Sequence, residues 1–229
     1  IAPLGTLVDQ SEVTSSKRGL RGSFSRPDIF GISGLELSTG VDSVKDTTDQ
    51  RLAITRRVWV PPMEYTSLAP YAQLSYDLDR LTLSAGVRHE DGELSVDGYT
   101  TTWYNNRVFV EGGTLEYSAT LPNFGAVWRF NDALSAFASY SEGFSLPNVG
   151  IPLRNINRPG QSVAGILDLQ AIVVDNKEIG LNYRTRQFTA SASAYRSYSE
   201  LGVSLSTDPL TGDFVMNRGP VLIRGFEVS

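Results

Sequence analysis

Apolar and polar residues take turns along most of this chain, and the places where the alternation stops are as informative as the alternation. From Leu68 to Tyr76 one side of an extended backbone would carry Leu68, Pro70, Ala72, Leu74 and Tyr76, the other Ala69, Tyr71, Gln73 and Ser75. After a break at Asp77–Arg80 the scheme resumes, with Leu81, Leu83, Ala85 and Val87 against Thr82, Ser84, Gly86 and Arg88. Around a second break at Asn131–Asp132, Phe124, Ala126, Trp128 and Phe130 share one side, followed by Leu134, Ala136, Ala138 and Tyr140. A third break, Arg184–Arg186, separates Ile179, Leu181 and Tyr183 from Phe188, Ala190, Ala192 and Ala194. Strict period two is a strand signal and excludes amphipathic helix as the main element. It also describes a sheet with one apolar and one wet face. The pattern predicts strands at about 17–26, 34–45, 66–76, 80–90, 118–130, 133–143, 175–184, 187–197 and 220–228.

The three breaks are tight, and the stretches between them run to about fifty residues, a length to compare with known repeat periods. Each stretch holds an outgoing strand, a long polar loop and a returning strand. Tight turns on one side and long loops on the other mark a transmembrane β-barrel, and point to an outer membrane and to transport. Alternation alone fits a soluble β-sandwich equally well. Two features favour the barrel. Tyr76, Trp128, Phe130 and Tyr183 fall on the apolar face just before a tight turn, and Phe188 just after one. Rings at one height on successive hairpins form a girdle suited to a lipid headgroup boundary. The middles of the strands are rich in Ala, which fills a sandwich core poorly but suits lipid chains that conform to any surface. The expected fold class is therefore all-β, an antiparallel transmembrane barrel.

Composition narrows the function classes. Charged residues make up 20% of the chain and no apolar run approaches the roughly twenty residues of a membrane-spanning helix. A net charge of −5, with no basic stripe interleaved with aromatics, argues against a nucleic-acid partner. The absence of Cys excludes a disulfide framework and a zinc–thiolate site. No charged leader precedes Ile1–Leu4, which implies a mature or truncated start. A closed barrel needs a fixed set of strands, so residues 1–229 are expected to be one partial barrel domain with no second domain.

Particular runs then resemble a family. Trp59 to Leu74 (WVPPMEYTSLAPYAQL) looks like a loop running down into a barrel strand of TonB-dependent outer-membrane receptors, and so does Leu121 to Trp128 (LPNFGAVW). The most specific run is Ala136 to Gly150, where Tyr140-Ser141-Glu142-Gly143-Phe144 sits where such receptors leave a strand for an extracellular loop. Asp175 to Leu181 and Ile223 to Val228 resemble returning strands. Within the family the chain is most similar to ferric siderophore receptors of the aerobactin type. The resemblance implies a 22-stranded barrel plugged by an N-terminal domain, a ferric siderophore as transported ligand, and energy from TonB through the plug. Neither plug nor terminal aromatic residue is in this sequence, so the activity is expected to belong to a longer parent. The same resemblance implies outer-membrane lipid as a partner and the bacterial outer membrane as location.

Other chemistry is weak. His89-Glu90-Asp91-Gly92-Glu93 offers four metal-ligand side chains, but neighbours on a strand point to opposite faces. With one His and no nucleophile-elbow pattern, no enzyme is expected. Gly31-Ile32-Ser33-Gly34 precedes no helix and reads as a turn rather than a phosphate cradle. Asp208–Asp213 reads as a turn or loop. The loops carry the candidate ligand residues: Tyr99, Trp103, Tyr104 and Arg107 in one, Arg154 and Arg158 in another. Arg suits the carboxylates of an anionic ferric chelate, and Tyr and Trp its flat parts. Inner-face Arg88 and Arg129 could pair with carboxylates of the wall or of a plug. No cofactor or metal site is expected beyond the transported ligand. A passive porin and a soluble β-sandwich binding module remain as alternatives.

Overall fold

The computed structural model describes residues 2–4, 7–102, 105–147, 149–166, 171–207, 209 and 214–229. Nine long strands build one antiparallel sheet: β1 (Ser11–Arg26), β2 (Leu35–Leu52), β3 (Val58–Leu78), β4 (Leu81–Val96), β5 (Gly113–Arg129), β6 (Leu134–Ser145), β7 (Ile172–Arg184), β8 (Thr189–Thr207) and β9 (Phe214–Val228). Each strand pairs with the next, so the order in the sheet is the order in sequence. Among the described residues no second sheet packs on the apolar face: Trp128 stays 44% and Ile179 63% exposed. The β-sandwich alternative therefore falls. No helix among the described residues is long and apolar enough to cross a membrane.

The tight end is closed locally. Asp79 takes the left-handed conformation at φ 50° between β3 and β4. Asn131 accepts the amides of Ala133 and Leu134 at its Oδ1, both at 2.9 Å, a side-chain turn that starts β6. Thr185 does the same through its hydroxyl for Phe188, at 3.0 Å. Between β1 and β2, Gly34 stands at φ 79° and donates its amide to Asp28 Oδ1 at 2.8 Å, so the Gly-rich run is a turn as expected.

At the opposite end the strands outrun the expectation. Glu93 pairs with Glu116, and Val96 with Gly113, beyond the predicted strand ends near 90 and 118. The Trp59–Leu74 run is likewise strand throughout and not a descending loop. The reason is that the apolar positions change face: Leu94, Val96 and Tyr117 turn to the inner side while Glu93, Ser95 and Glu116 continue the outer one, so the phase of the alternation flips while backbone pairing continues. Proline is accommodated by irregularity: the β2–β3 ladder shifts register between Thr48 and Arg51, opposite Pro61 and Pro62. In the β3–β4 ladder no partners are paired between Leu68↔Asp91 and Tyr71↔Arg88, which leaves Pro70 out of the bonding.

The inner face has its own packing rule. Gly40 pairs with Tyr71, Gly180 with Phe137 and Gly225 with Tyr195 across neighbouring strands. A Cβ at Gly180 would lie 2.5 Å from the Phe137 ring, so the ring lies over bare backbone.

Candidate functional site

The loop end of the barrel is roofed by two connections that fold onto each other. The β4–β5 connection holds a short strand pair, Tyr99–Thr100 with Phe109–Val110. The β6–β7 connection holds a helical turn, Gly150–Arg154, and another, Val163–Ile166. Tyr99, Val110, Val149, Leu153, Ile156 and Val163 form a small apolar cluster with Leu94, Val96 and Tyr117 of the strands. Leu153, Val110 and Val163 are fully buried. This is the conventional core of the described residues, and it sits at the loop end of the sheet.

Polar bonds fix the two connections together. The Tyr99 hydroxyl donates to the Leu153 carbonyl at 2.6 Å, and burial pushes this phenol well above its ordinary range. Asn105 Nδ2 donates to the Arg154 carbonyl at 2.6 Å, and Asn106 Nδ2 to the Asn157 carbonyl at 3.1 Å. Thr101 braces its own loop, its hydroxyl accepting the Val108 amide at 2.9 Å and donating to the Asn105 carbonyl at 2.8 Å. A third tip, between β2 and β3, is held by Asp9. Its carboxylate is fully buried and accepts the Ile54 amide at 2.8 Å, the Thr55 amide at 3.2 Å and the Thr55 hydroxyl at 2.6 Å. Burial alone would raise the Asp9 pKa. The three bonds and the charge of Arg57 outweigh it and leave the value lowered.

The expected ligand residues separate by placement. Arg107 and Arg158 are exposed on the roof, and Arg107 has a left-handed backbone at φ 52°. The Arg154 guanidinium lies 5.4 Å from the Trp59 ring centre, a cation–π distance that joins the roof to β3. Tyr99 points inward and spends its hydroxyl on the roof. Trp103 and Tyr104 lie outside the described residues, as does most of 208–213.

Below the roof the inner wall carries a charged knot that sequence reasoning passed over. Asp42, with 8% of its side chain exposed, accepts Arg21 Nε at 2.6 Å and Arg88 Nη1 at 2.7 Å. Arg88 Nε reaches Glu90 at 2.8 Å. Two cations against two anions leave no uncompensated charge on a shielded wall. Arg129 pairs with Asp77 at 3.2 Å and donates to the Thr82 hydroxyl at 2.8 Å. Both inner arginines thus pair within the wall. Asp42 was readable as wet-face from alternation, but its partners depend on inter-strand register, which the sequence does not state. The His89 cluster disperses as period two requires: His89 Nδ1 lies 2.9 Å from the Thr120 hydroxyl while Glu90 faces Arg88. Among the described residues no group of metal-ligating side chains assembles.

On the outer face Trp128, Phe130, Tyr183 and Phe188 are exposed beside the turns, with Tyr76 partly so. The Tyr183 and Phe188 rings are 6.3 Å apart across their turn.

Known proteins share this architecture. The chain is 24% identical over 174 residues to a rhizobactin receptor of Rhizobium meliloti, covering 68% of this chain and 23% of that protein. It is 24% identical over 200 residues to a ferric aerobactin receptor of Klebsiella pneumoniae, covering 79% and 26%. The chain therefore spans about a quarter of the length of these curated relatives. Among solved structures, the copper transporter OprC superposes with a TM-score of 0.72 at 17% identity, over 95% of this chain and 34% of that one. The alcaligin outer membrane receptor FauA from Bordetella pertussis gives 0.64 at 18%, over 95% and 36%. The model of the TonB-dependent receptor-like β-barrel matches residues 5–229, and the chain belongs to that outer-membrane family.

Proposed function

We propose that this chain is part of the barrel of a TonB-dependent receptor that imports a ferric siderophore across the outer membrane. The observation that carries the reading is the family match over 5–229 together with relatives named for rhizobactin and ferric aerobactin. In the whole protein the barrel would close at 22 strands around a plug, and the plug would contact TonB. Residues 1–229 would form one partial barrel domain within it.

In this reading the roof is the capture surface. Arg107 and Arg158 stand outward, where long-range attraction for an anionic chelate operates. Arg154 on Trp59 would supply charge-assisted bonds and flat contact, as would Trp103 and Tyr104, close to Arg107 in sequence. Tyr99 would act by holding the roof in shape. Tyr76, Trp128, Phe130, Tyr183 and Phe188 would anchor the periplasmic rim in the headgroup region.

The test is binding of labelled ferric aerobactin to cells bearing the full-length receptor, or its Arg154→Gln/Arg158→Gln variant, at low and high salt. The expected result is weaker capture by the variant, with the larger difference at low salt, since exposed charges are screened over about 8–10 Å at physiological ionic strength. Equal affinity in all four conditions removes these arginines from the site. A parent that binds no ferric chelate overturns the substrate while leaving the fold untouched.

A further inference from the structure

The wall is not paired evenly along its height. On the near side, β4 and β5 stay paired from Leu81↔Trp128 to Val96↔Gly113. The β5–β6 ladder stops much earlier, at Asn123↔Ser141, although both strands continue beyond it. The β7–β8 ladder stops at Asp175↔Tyr198, and β8 is irregular from Ser199 to Gly202 just above. The tips of β6 and β7, 142–145 with 172–174, therefore pair with each other and with neither neighbouring strand. They form a two-stranded arm.

The stop on the β5 side has a local cause. Arg129 donates its amide to the Arg80 carbonyl at 2.7 Å and Phe130 to the Leu134 carbonyl at 2.9 Å. Odd residues of β5 thus turn their backbone groups to β4, and even residues turn theirs to β6. The constant β4–β5 register carries this alternation up the strand. Pro122 is even, so the rung that would follow Asn123↔Ser141 lacks its donor. One bond is missing at the point where the seam opens.

Above the seam the arm leans inward. Phe144 continues the side of Ala138 and Tyr140, the outer one, yet it packs against the roof cluster that holds the inner residues Leu94, Val96 and Tyr117. The lean leaves a notch of about 570 Å³ with Glu116, Tyr117 and Ser118 on one side and Val173, Asp175 and Tyr198 on the other. The Tyr117 hydroxyl is buried there and has no hydrogen-bond partner among the described residues.

We propose that the arm is a hinged element of the wall with two settings. In the setting described, Phe144 belongs to the roof and the seam is open. In the other, the arm swings outward and zips onto β5 in the register of the ladder below, Thr120 opposite Phe144 and Ala119 opposite Ser145. Phe144 then leaves the roof for the outer face. One ring cannot occupy both places, so zipping the seam and closing the roof exclude each other. The contest sets a buried ring against a few backbone bonds, and Pro122 withholds one of those bonds from the zipped side. The device belongs to the wall and does not depend on which ligand is carried.

The experiment is oxidative cross-linking of Ala119→Cys/Ser145→Cys in a full-length receptor otherwise free of cysteine. The two positions are directly opposite only in the zipped setting, within reach of a disulfide. Asn123→Cys/Ser141→Cys, the last pair below the seam, is the control. The expected result is fast linking of the control and slower, complete linking of the upper pair. Linking the upper pair should speed proteolysis within 97–112 about tenfold, and linking the control should leave it unchanged. Adding Pro122→Ala, which restores the missing donor, should speed upper linking about two- to tenfold, the shift that one backbone bond supplies. If the cysteine pair fails the heat-dependent gel test of folding, amide exchange decides: the Thr120 and Phe144 amides should slow together in Pro122→Ala. No upper linking in either background, or linking as fast as the control, leaves only one setting and overturns the proposal. So does upper linking that leaves the roof equally protected, or a Pro122→Ala protein with unchanged linking and exchange.

Discussion

The two ends of this barrel wall are closed by different physics. At the turn end each hairpin is sealed within a few residues: Asn131 by its own side chain, Thr185 by its hydroxyl, Asp79 by its left-handed backbone. At the loop end, closure is made by groups about fifty residues apart in sequence, as in the bond from Tyr99 to the Leu153 carbonyl. The first kind needs no neighbour and survives alone. The second is cooperative, so removing one member should loosen all of the roof while the sheet stands.

The largest expected effect tests that cooperativity. Leu153→Ala, at a fully buried position, should cost the roof about 2–5 kcal/mol through lost burial and a cavity. Limited proteolysis of the full receptor should then cut within 97–112 as well as 149–166, with unchanged heat-dependent gel migration. Cutting in 149–166 alone would show that the two connections are independent. Tyr99→Phe should act in the same direction by about 1–3 kcal/mol, because it leaves a buried carbonyl without its donor. At the other end Asn131→Ala should cost only about 0.5–1.5 kcal/mol per bond lost. Faster amide exchange should be confined to Ala133 and Leu134, and exchange spreading to the roof would erase the contrast between the ends.

The smallest effect is a pH dependence of the tip that Asp9 holds. Its pKa is lowered from the ordinary 3.8, so its stabilising contribution is complete above that value and is lost as pH falls through the lower folded value. Amide exchange at Ile54 and Thr55 should accelerate in acid and not between pH 5 and 8. An Asp9→Asn protein with the same acid profile would place the titrating group elsewhere.

This difference between the ends also explains what could be read in the residues. Period two told which residues of β3 to β8 share the apolar outer face, because Leu74 stands between Gln73 and Ser75 and Leu83 between Thr82 and Ser84. The tight turns were legible because their closure is local. The upper halves of β4 and β5 were not, since the apolar positions change face there: Leu94 and Leu115 pair on the inner side, while Glu93↔Glu116 and Ser95↔Thr114 continue the outer one. The Asp42 knot and the Tyr99 clamp share that cause: each joins side chains whose neighbourhood is set by register or by loop packing. Arg107 and Arg158 were chosen for chemistry alone, and their role rests on the binding experiment.

The glycine–aromatic pairs of the inner wall set the bore. A tyrosine standing away from a sheet would narrow the channel by roughly the length of its side chain. Tyr71, Phe137 and Tyr195 instead lie across Gly40, Gly180 and Gly225 of the adjoining strands. The wall keeps aromatic bulk for stiffness and still presents a shallow relief to whatever fills the channel. A body resting on such a surface can shear sideways without unhooking from protrusions, so the friction against its displacement is set by scattered polar contacts. Replacing any of these glycines would roughen the channel from the inside, with no change at the mouth.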